Sequence, residues 1–119
     1  MFKAKAKKFI NKWKWIKFEG NSTITPEFKS FVRWFRTLMK EIWEVDSKSF
    51  KAGHFDTSGF IKINDKYIYV SITDVRFNQN WWLNSVLYRT AKDNNDYTGG
   101  SNHYSDLEKL EENIKYLSE

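Results

Sequence analysis

Residues 59–92 read GFIKINDKYIYVSITDVRFNQNWWLNSVLYRTAK, and this stretch decides the fold class of the chain. Between Tyr67 and Ile72 the residues alternate, tyrosine or serine on one side and isoleucine or valine on the other. A period of two in β-branched and aromatic residues predicts half-buried strands. The pair Asn64-Asp65 separates two such runs and indicates a hairpin turn. A further run ends at Ala91, so we expect an antiparallel β-meander of three or more strands over residues 55–92.

N-terminal to this region, residues 1–19 predict a basic amphipathic helix. Its apolar residues recur at steps of three and four and form one face: Phe2, Ala6, Phe9, Trp13 and Ile16. Six lysines fall largely outside this face: Lys3, Lys5, Lys7, Lys8, Lys12 and Lys14. Trp15 lies on the lysine side, where its indole either stacks on a nucleic-acid base or packs into the core.

A second helix is predicted over residues 26–45, because Thr25-Pro26-Glu27 is typical of a helix start. Its apolar positions predict a core helix that packs on the meander: Phe28, Phe31, Phe35, Leu38, Ile42 and Val45, widened by Val32, Trp34, Met39 and Trp43. The opposite face carries a narrow basic strip, formed by Lys29, Arg33, Arg36 and Lys40. Such a strip is usually the solvated face of a helix, and the alternative is that it binds phosphates.

At the C-terminal end, Ser105 and Glu108 have the spacing of a capping box, which predicts an acidic helix over residues 105–118. The predicted order is therefore two helices, a meander and a last helix. We expect an α+β fold in which residues 1–119 form a single domain.

The charge of the chain is divided between its two ends. The net charge is +5, but residues 1–20 contain seven lysines and one acid, a balance of +6, and residues 93–119 contain seven acids and two lysines, a balance of −5. A basic head and an acidic tail favour a polyanionic partner, or contacts between the two ends. The chain has no cysteine, which excludes disulfides and fits a reducing cytoplasm. No apolar run is long enough to span a membrane, so we expect a cytoplasmic protein.

No motif of a known enzyme class is present: the sequence has no nucleophile elbow, Walker loop or dinucleotide-binding fingerprint. Four residues are possible metal ligands, but their spacing matches no characteristic site: His54, Asp56, Asp74 and His103. We therefore expect no catalytic residue, metal, cofactor or small-molecule substrate. A metal-dependent nuclease that uses His54 and Asp74 is an alternative.

Two segments of the chain resemble a segment of known proteins. SITDVR at residues 71–76 and YRTAKDNNDYTGGSN at residues 88–102 resemble a segment of small proteins from phages and mobile elements. The likeness covers about residues 53–104 and leaves the two N-terminal helices outside. Some proteins of this size and setting are anti-CRISPRs, and this chain is similar in character to an inhibitor of a Cas13b effector. The resemblance implies an anti-defence role and assigns no functional residue.

Together these observations predict a phage or mobile-element protein that inhibits without catalysis in the host cytoplasm. Its partner would be RNA or a guide-RNA-loaded CRISPR effector, bound through the basic residues and Trp15. The candidate binding residues are Lys3, Lys5, Lys7, Lys8, Lys12, Lys14, Trp15, Lys29, Arg33, Arg36 and Lys40. The alternative partner is a membrane surface, because lysine with tryptophan and phenylalanine also marks helices that lie in the lipid interface.

Overall fold

The computed structural model describes residues 2–14, 26–52, 56–63, 65–73, 80–93, 96 and 100–118. Within them, five strands form one antiparallel sheet in the order β1-β2-β3-β4-β5. The strands are β1 (Glu44–Ala52), β2 (Asp56–Ile63), β3 (Lys66–Thr73), β4 (Val86–Ala91) and β5 (His103–Ser105). The helices are α1 (Phe2–Trp13), α2 (Pro26–Lys40) and α3 (Leu110–Ser118), with a 3-10 helix at Leu107–Lys109. The predicted α+β class is confirmed.

The hairpin between β2 and β3 is the most regular part of the sheet. Eight residue pairs, from Asp56 with Thr73 to Ile63 with Lys66, keep one register. Asp65 has a φ of 66° in the turn, a left-handed conformation in which Asp and Asn are enriched. The hairpin predicted between these two runs is confirmed.

The helices cover one face of the sheet, and the sheet and the helices share a single buried core. The sheet contributes Ile61, Ile68, Val70, Ile72, Val86 and Tyr88. The helices contribute Phe2, Ala6, Phe9, Ile10 and Trp13 from α1, Phe31, Val32, Phe35, Leu38 and Met39 from α2, and Leu107, Leu110 and Ile114 from the C-terminal segment. Burial of each large apolar side chain contributes about 1.5–3 kcal/mol. Where their side chains are described, the apolar faces predicted for α1 and α2 are thus confirmed except at Trp34, which is exposed.

Aromatic contacts fix α1 beside α2 in an antiparallel arrangement. The ring centroids of Phe2 and Trp43 are 5.3 Å apart at one end, and those of Trp13 and Phe31 are 5.6 Å apart at the other. Between these ends, Phe9 contacts Phe31 at 5.3 Å. Such pairs contribute about 0.5–1.5 kcal/mol beyond burial and have preferred geometries. They therefore determine which flank of each helix faces the other.

The predicted extent of the second helix was wrong at its C-terminal end. α2 ends at Lys40, and the N–H groups of Glu41 and Ile42 bond back three residues, at 3.2 and 3.3 Å. Val45 lies in β1, paired with Ile61. The spacing of Leu38, Ile42 and Val45 continues a helical repeat, but a β-branched residue opposite Ile61 is equally suited to a strand. The sheet therefore begins at Glu44, earlier than the predicted residue 55.

The predicted start of the last helix was also wrong. Ser105 ends β5. Its hydroxyl donates to the backbone carbonyl of Asp106 (2.7 Å) and accepts a hydrogen bond from the side-chain amide of Asn113 (2.8 Å). The Asp106 carboxylate accepts from the backbone N–H of Asn84 at 2.7 Å, so it links the loop before β4 to the helix start. These bonds replace the predicted capping box. None of the described ion pairs joins the acidic residues of this segment to a lysine of α1.

Candidate nucleic-acid interface

The lysines of α1 form two rows rather than one face. At about 100° per residue, Lys5, Lys8 and Lys12 lie on one flank of the buried stripe, and Lys3, Lys7 and Lys14 lie on the other flank. Each row is about 100° from the middle of the stripe. All six are exposed except Lys14, which is half-buried. One straight polyanion therefore cannot contact both rows at once.

The row formed by Lys5, Lys8 and Lys12 borders a groove between α1 and α2. The groove has a volume of about 310 Å³. Its second wall is formed by α2 and the residue that follows it: Trp34, Thr37 and Glu41. Its floor is apolar and buried, and is formed by Phe9, Trp13 and Leu38. Because the helices are antiparallel, Lys5 faces Glu41 at one end and Lys12 faces Trp34 at the other.

Each end of the groove is closed by one contact between the helices. Lys5 forms an ion pair with Glu41. The ammonium of Lys12 lies 3.8 Å from the centroid of the Trp34 ring, well inside the range of about 6 Å for a cation–π interaction. Lys8, between them, has no acidic partner among the described residues. The groove thus combines an apolar floor, an aromatic ring and an excess of positive charge.

The exposure of Trp34 corrects a prediction. The apolar pattern of α2 included Trp34 in the core face, but its side chain is 47% exposed. The position lies about 100° from the middle of the buried stripe of α2, at the stripe's edge. There α1 covers Phe31 and Phe35 and leaves the indole at the rim of the groove.

The basic strip of α2 faces away from this groove. Lys29, Arg33 and Lys40 are exposed and Arg36 is half-buried, as expected for a solvated strip. The strip is roughly a third of a turn around α2 from Trp34. Arg33 donates to the Ser30 hydroxyl at 3.0 Å, and no acid of the described residues pairs with the strip. The ten basic candidate residues therefore form three separate basic surfaces: the groove row, the opposite row of α1 and the α2 strip.

Other predicted site residues lie partly outside the described part of the chain. Trp15, His54 and Asp74 are outside it. Within the described residues, no three His, Cys, Asp or Glu side chains gather in a way that could hold a metal ion. His103 stacks on Tyr88 with ring centroids 5.3 Å apart. Burial raises the pKa of the Tyr88 hydroxyl above its ordinary value.

Among the described residues, no helix is both long enough and apolar enough to cross a bilayer. Comparison of the chain with models of protein families, with curated proteins and with solved structures gives no match. The three basic surfaces and the groove are therefore the observations on which a functional proposal rests.

Proposed function

We propose that this protein is a phage or mobile-element anti-defence protein that binds a nucleic acid or a CRISPR ribonucleoprotein effector and inhibits it without catalysis. The observation that supports binding is the two largely exposed rows of lysines that flank the buried stripe of α1. In the row that borders the groove, Lys5 pairs with Glu41, and Lys8 and Lys12 have no acidic partner among the described residues. The anti-defence role is supported by the resemblance of residues 71–76 and 88–102 to proteins of phages and mobile elements.

The mechanism follows from the chemistry of lysine. Ammonium groups that contact phosphates release condensed counterions, so the affinity depends steeply on salt. Phosphate contacts position a strand but carry no sequence information. One of the two α1 rows would hold an RNA, or the RNA of a guide-loaded effector, in an unproductive position in the host cytoplasm. The α2 strip would add contacts for a strand that passes around α2, and Trp15 would add a stacked base.

A membrane surface is a weaker candidate for the partner of α1. The apolar residues that would enter the lipid interface are buried in the core, including Phe2, Phe9 and Trp13. Their transfer to lipid would forfeit the packing of three large side chains, each worth about 1.5–3 kcal/mol. Liposome co-sedimentation tests this alternative, and binding to anionic vesicles with no binding to RNA would favour it.

The test of the proposed function is RNA binding measured by fluorescence anisotropy across a range of salt concentrations. For about four phosphate contacts on a single strand, log affinity should fall against log salt with a slope of about −3, since each contact contributes about −0.7. The RNA should be recovered intact. In parallel, the protein should reduce RNA cleavage by a guide-loaded Cas13b effector. Absence of RNA binding at physiological salt together with undiminished effector cleavage would overturn the proposal.

A further inference from the structure

We infer that the groove between α1 and α2 accepts one unpaired nucleobase, which stacks on Trp34 while Lys5 and Lys8 contact the flanking phosphates. This inference rests on the proposed nucleic-acid binding. It adds which part of the nucleic acid is recognised, namely a base of a single strand rather than the backbone of a duplex.

The size and lining of the groove suit a flat heterocycle. Its volume of about 310 Å³ is at the lower end of the range of about 300–1,000 Å³ that is usual for ligand pockets. The floor residues Phe9, Trp13 and Leu38 are 6%, 4% and 5% exposed, so the floor is a formed apolar surface. A nucleobase has apolar faces and polar edges, which match this floor and the polar rim above it.

The charge of the groove selects against a cationic ligand. An exposed tryptophan also binds arginine or lysine from a partner by cation–π attraction. Here the rim carries three lysines and one glutamate, and that glutamate already pairs with Lys5. The field in the groove therefore repels a second cation and attracts the phosphates on either side of a base.

Lys12 occupies the position that the base would take. Its ammonium covers the face of Trp34, with 3.8 Å between the nitrogen and the ring centroid. An exposed cation–π contact changes an equilibrium by about two- to fivefold, whereas stacking of one base on an aromatic side chain is worth on the order of ten- to hundredfold. A base therefore displaces the ammonium, and Lys12 then reaches a neighbouring phosphate.

The experiment compares a short single-stranded RNA with a sugar–phosphate oligomer of the same length that lacks bases. Both carry the same charge, so the difference in affinity isolates the bases. At physiological salt we expect the wild-type protein to prefer the base-bearing oligomer by on the order of ten- to hundredfold. Trp34→Ala should remove most of this preference, and Trp34→Phe should retain most of it because a ring remains. Tyr116→Ala, at a residue 77% exposed on α3, is the control and should change nothing.

Lys12→Ala gives a second, independent signature. The variant loses a phosphate contact and should bind both oligomers more weakly, but its preference for the base-bearing oligomer should rise by about two- to fivefold because the ring no longer has to be vacated. Circular dichroism establishes that each variant is folded. Equal binding of both oligomers by the wild type, or a preference unchanged in Trp34→Ala, would overturn the groove inference while polyanion binding stands. Absence of binding to either oligomer would instead overturn the nucleic-acid binding on which this inference rests, and the effector-cleavage assay would then decide the proposed function.

Discussion

The α1–α2 pair has an inner side, which is its buried aromatic core, and an outer side, which is the rim of the groove. The two sides are built from neighbouring residues, yet different forces hold them. Phe35 is fully buried, whereas Trp34, its neighbour in the chain, is 47% exposed. On the inner side, rings are fixed by contacts with several other rings, all removed from water. On the outer side, side chains are held by one ion pair and one cation–π contact in solvent.

This difference separates stability from binding within one pair of helices. Buried rings at fixed centroid distances contribute a large part of the free energy of folding. Exposed charged contacts contribute little to it, so they can be exchanged for contacts with a ligand without unfolding the helices. The predictions below test this separation, first on the inner side and last on the outer side.

The largest expected effect is the contrast between Phe35→Ala and Trp34→Ala. Loss of the buried Phe35 ring should lower the free energy of unfolding by about 3–5 kcal/mol. Loss of the half-exposed Trp34 ring should lower it by less than about 1 kcal/mol. Urea unfolding followed by circular dichroism measures both. Similar losses for the two variants would contradict the division into an inner and an outer side.

The second prediction concerns the contact through which the inner side reaches the sheet. Phe35 packs on Phe50 of β1 at 6.1 Å, and the Phe50 ring lies over Gly59 of β2. A Cβ atom on Gly59 would lie 2.4–2.6 Å from three atoms of that ring. Gly59→Ala should therefore destabilise the protein by about 1–3 kcal/mol, the usual effect of overpacking.

A matched control for this prediction is Ser58→Ala, a half-buried neighbour on the same strand. It should change the free energy of unfolding by no more than about 0.5 kcal/mol. If the ring is the cause of the Gly59→Ala effect, adding Phe50→Leu should produce less destabilisation than the sum of the two single changes. Strict additivity would show that the ring is not the obstacle.

The third prediction moves to the outer side and concerns the ion pair between Lys5 and Glu41. Their side chains are 45% and 39% exposed, so a double-mutant cycle with alanine at both positions should give a coupling of about 0.2–1 kcal/mol. Screening should reduce this coupling at high salt. A coupling that does not change with salt would mean that the pair is held by more than its charges.

The sequence was sufficient to predict the inner side because burial repeats with the period of the helix. Phe31, Phe35 and Leu38 follow that period, and all are buried. The same reasoning did not locate the end of α2, since Val45 fits both a helical repeat and a strand. What decides between them is its pairing with Ile61, a contact between residues distant in the chain that no local pattern contains.

The groove could not be predicted from the sequence, although most of its residues could. The lysines of α1 were predicted to lie outside the apolar face, and they do. Which of the two lysine rows borders the groove, and the exposure of Trp34, depend on which flank of α1 packs against which flank of α2. That choice is made by ring contacts such as those of Trp13 with Phe31 and Phe2 with Trp43, and helical periodicity alone does not specify them.

The smallest expected effect on stability, and the most direct test of the outer side, comes from two adjacent lysines. Lys7 and Lys8 are both exposed, but Lys8 borders the groove and Lys7 belongs to the opposite row of α1. Alanine at either position should change the free energy of unfolding by no more than about 0.5 kcal/mol. If a single strand lies along the groove, Lys8→Ala should flatten the slope of log affinity against log salt by about 0.7, the contribution of one phosphate. Lys7→Ala should leave this slope nearly unchanged, because its ammonium is on the far flank of α1.

Fluorescence anisotropy with one labelled RNA measures both slopes under identical conditions. Equal flattening by the two variants would mean that the RNA senses only the net charge of α1, and the groove would then have no special role in binding.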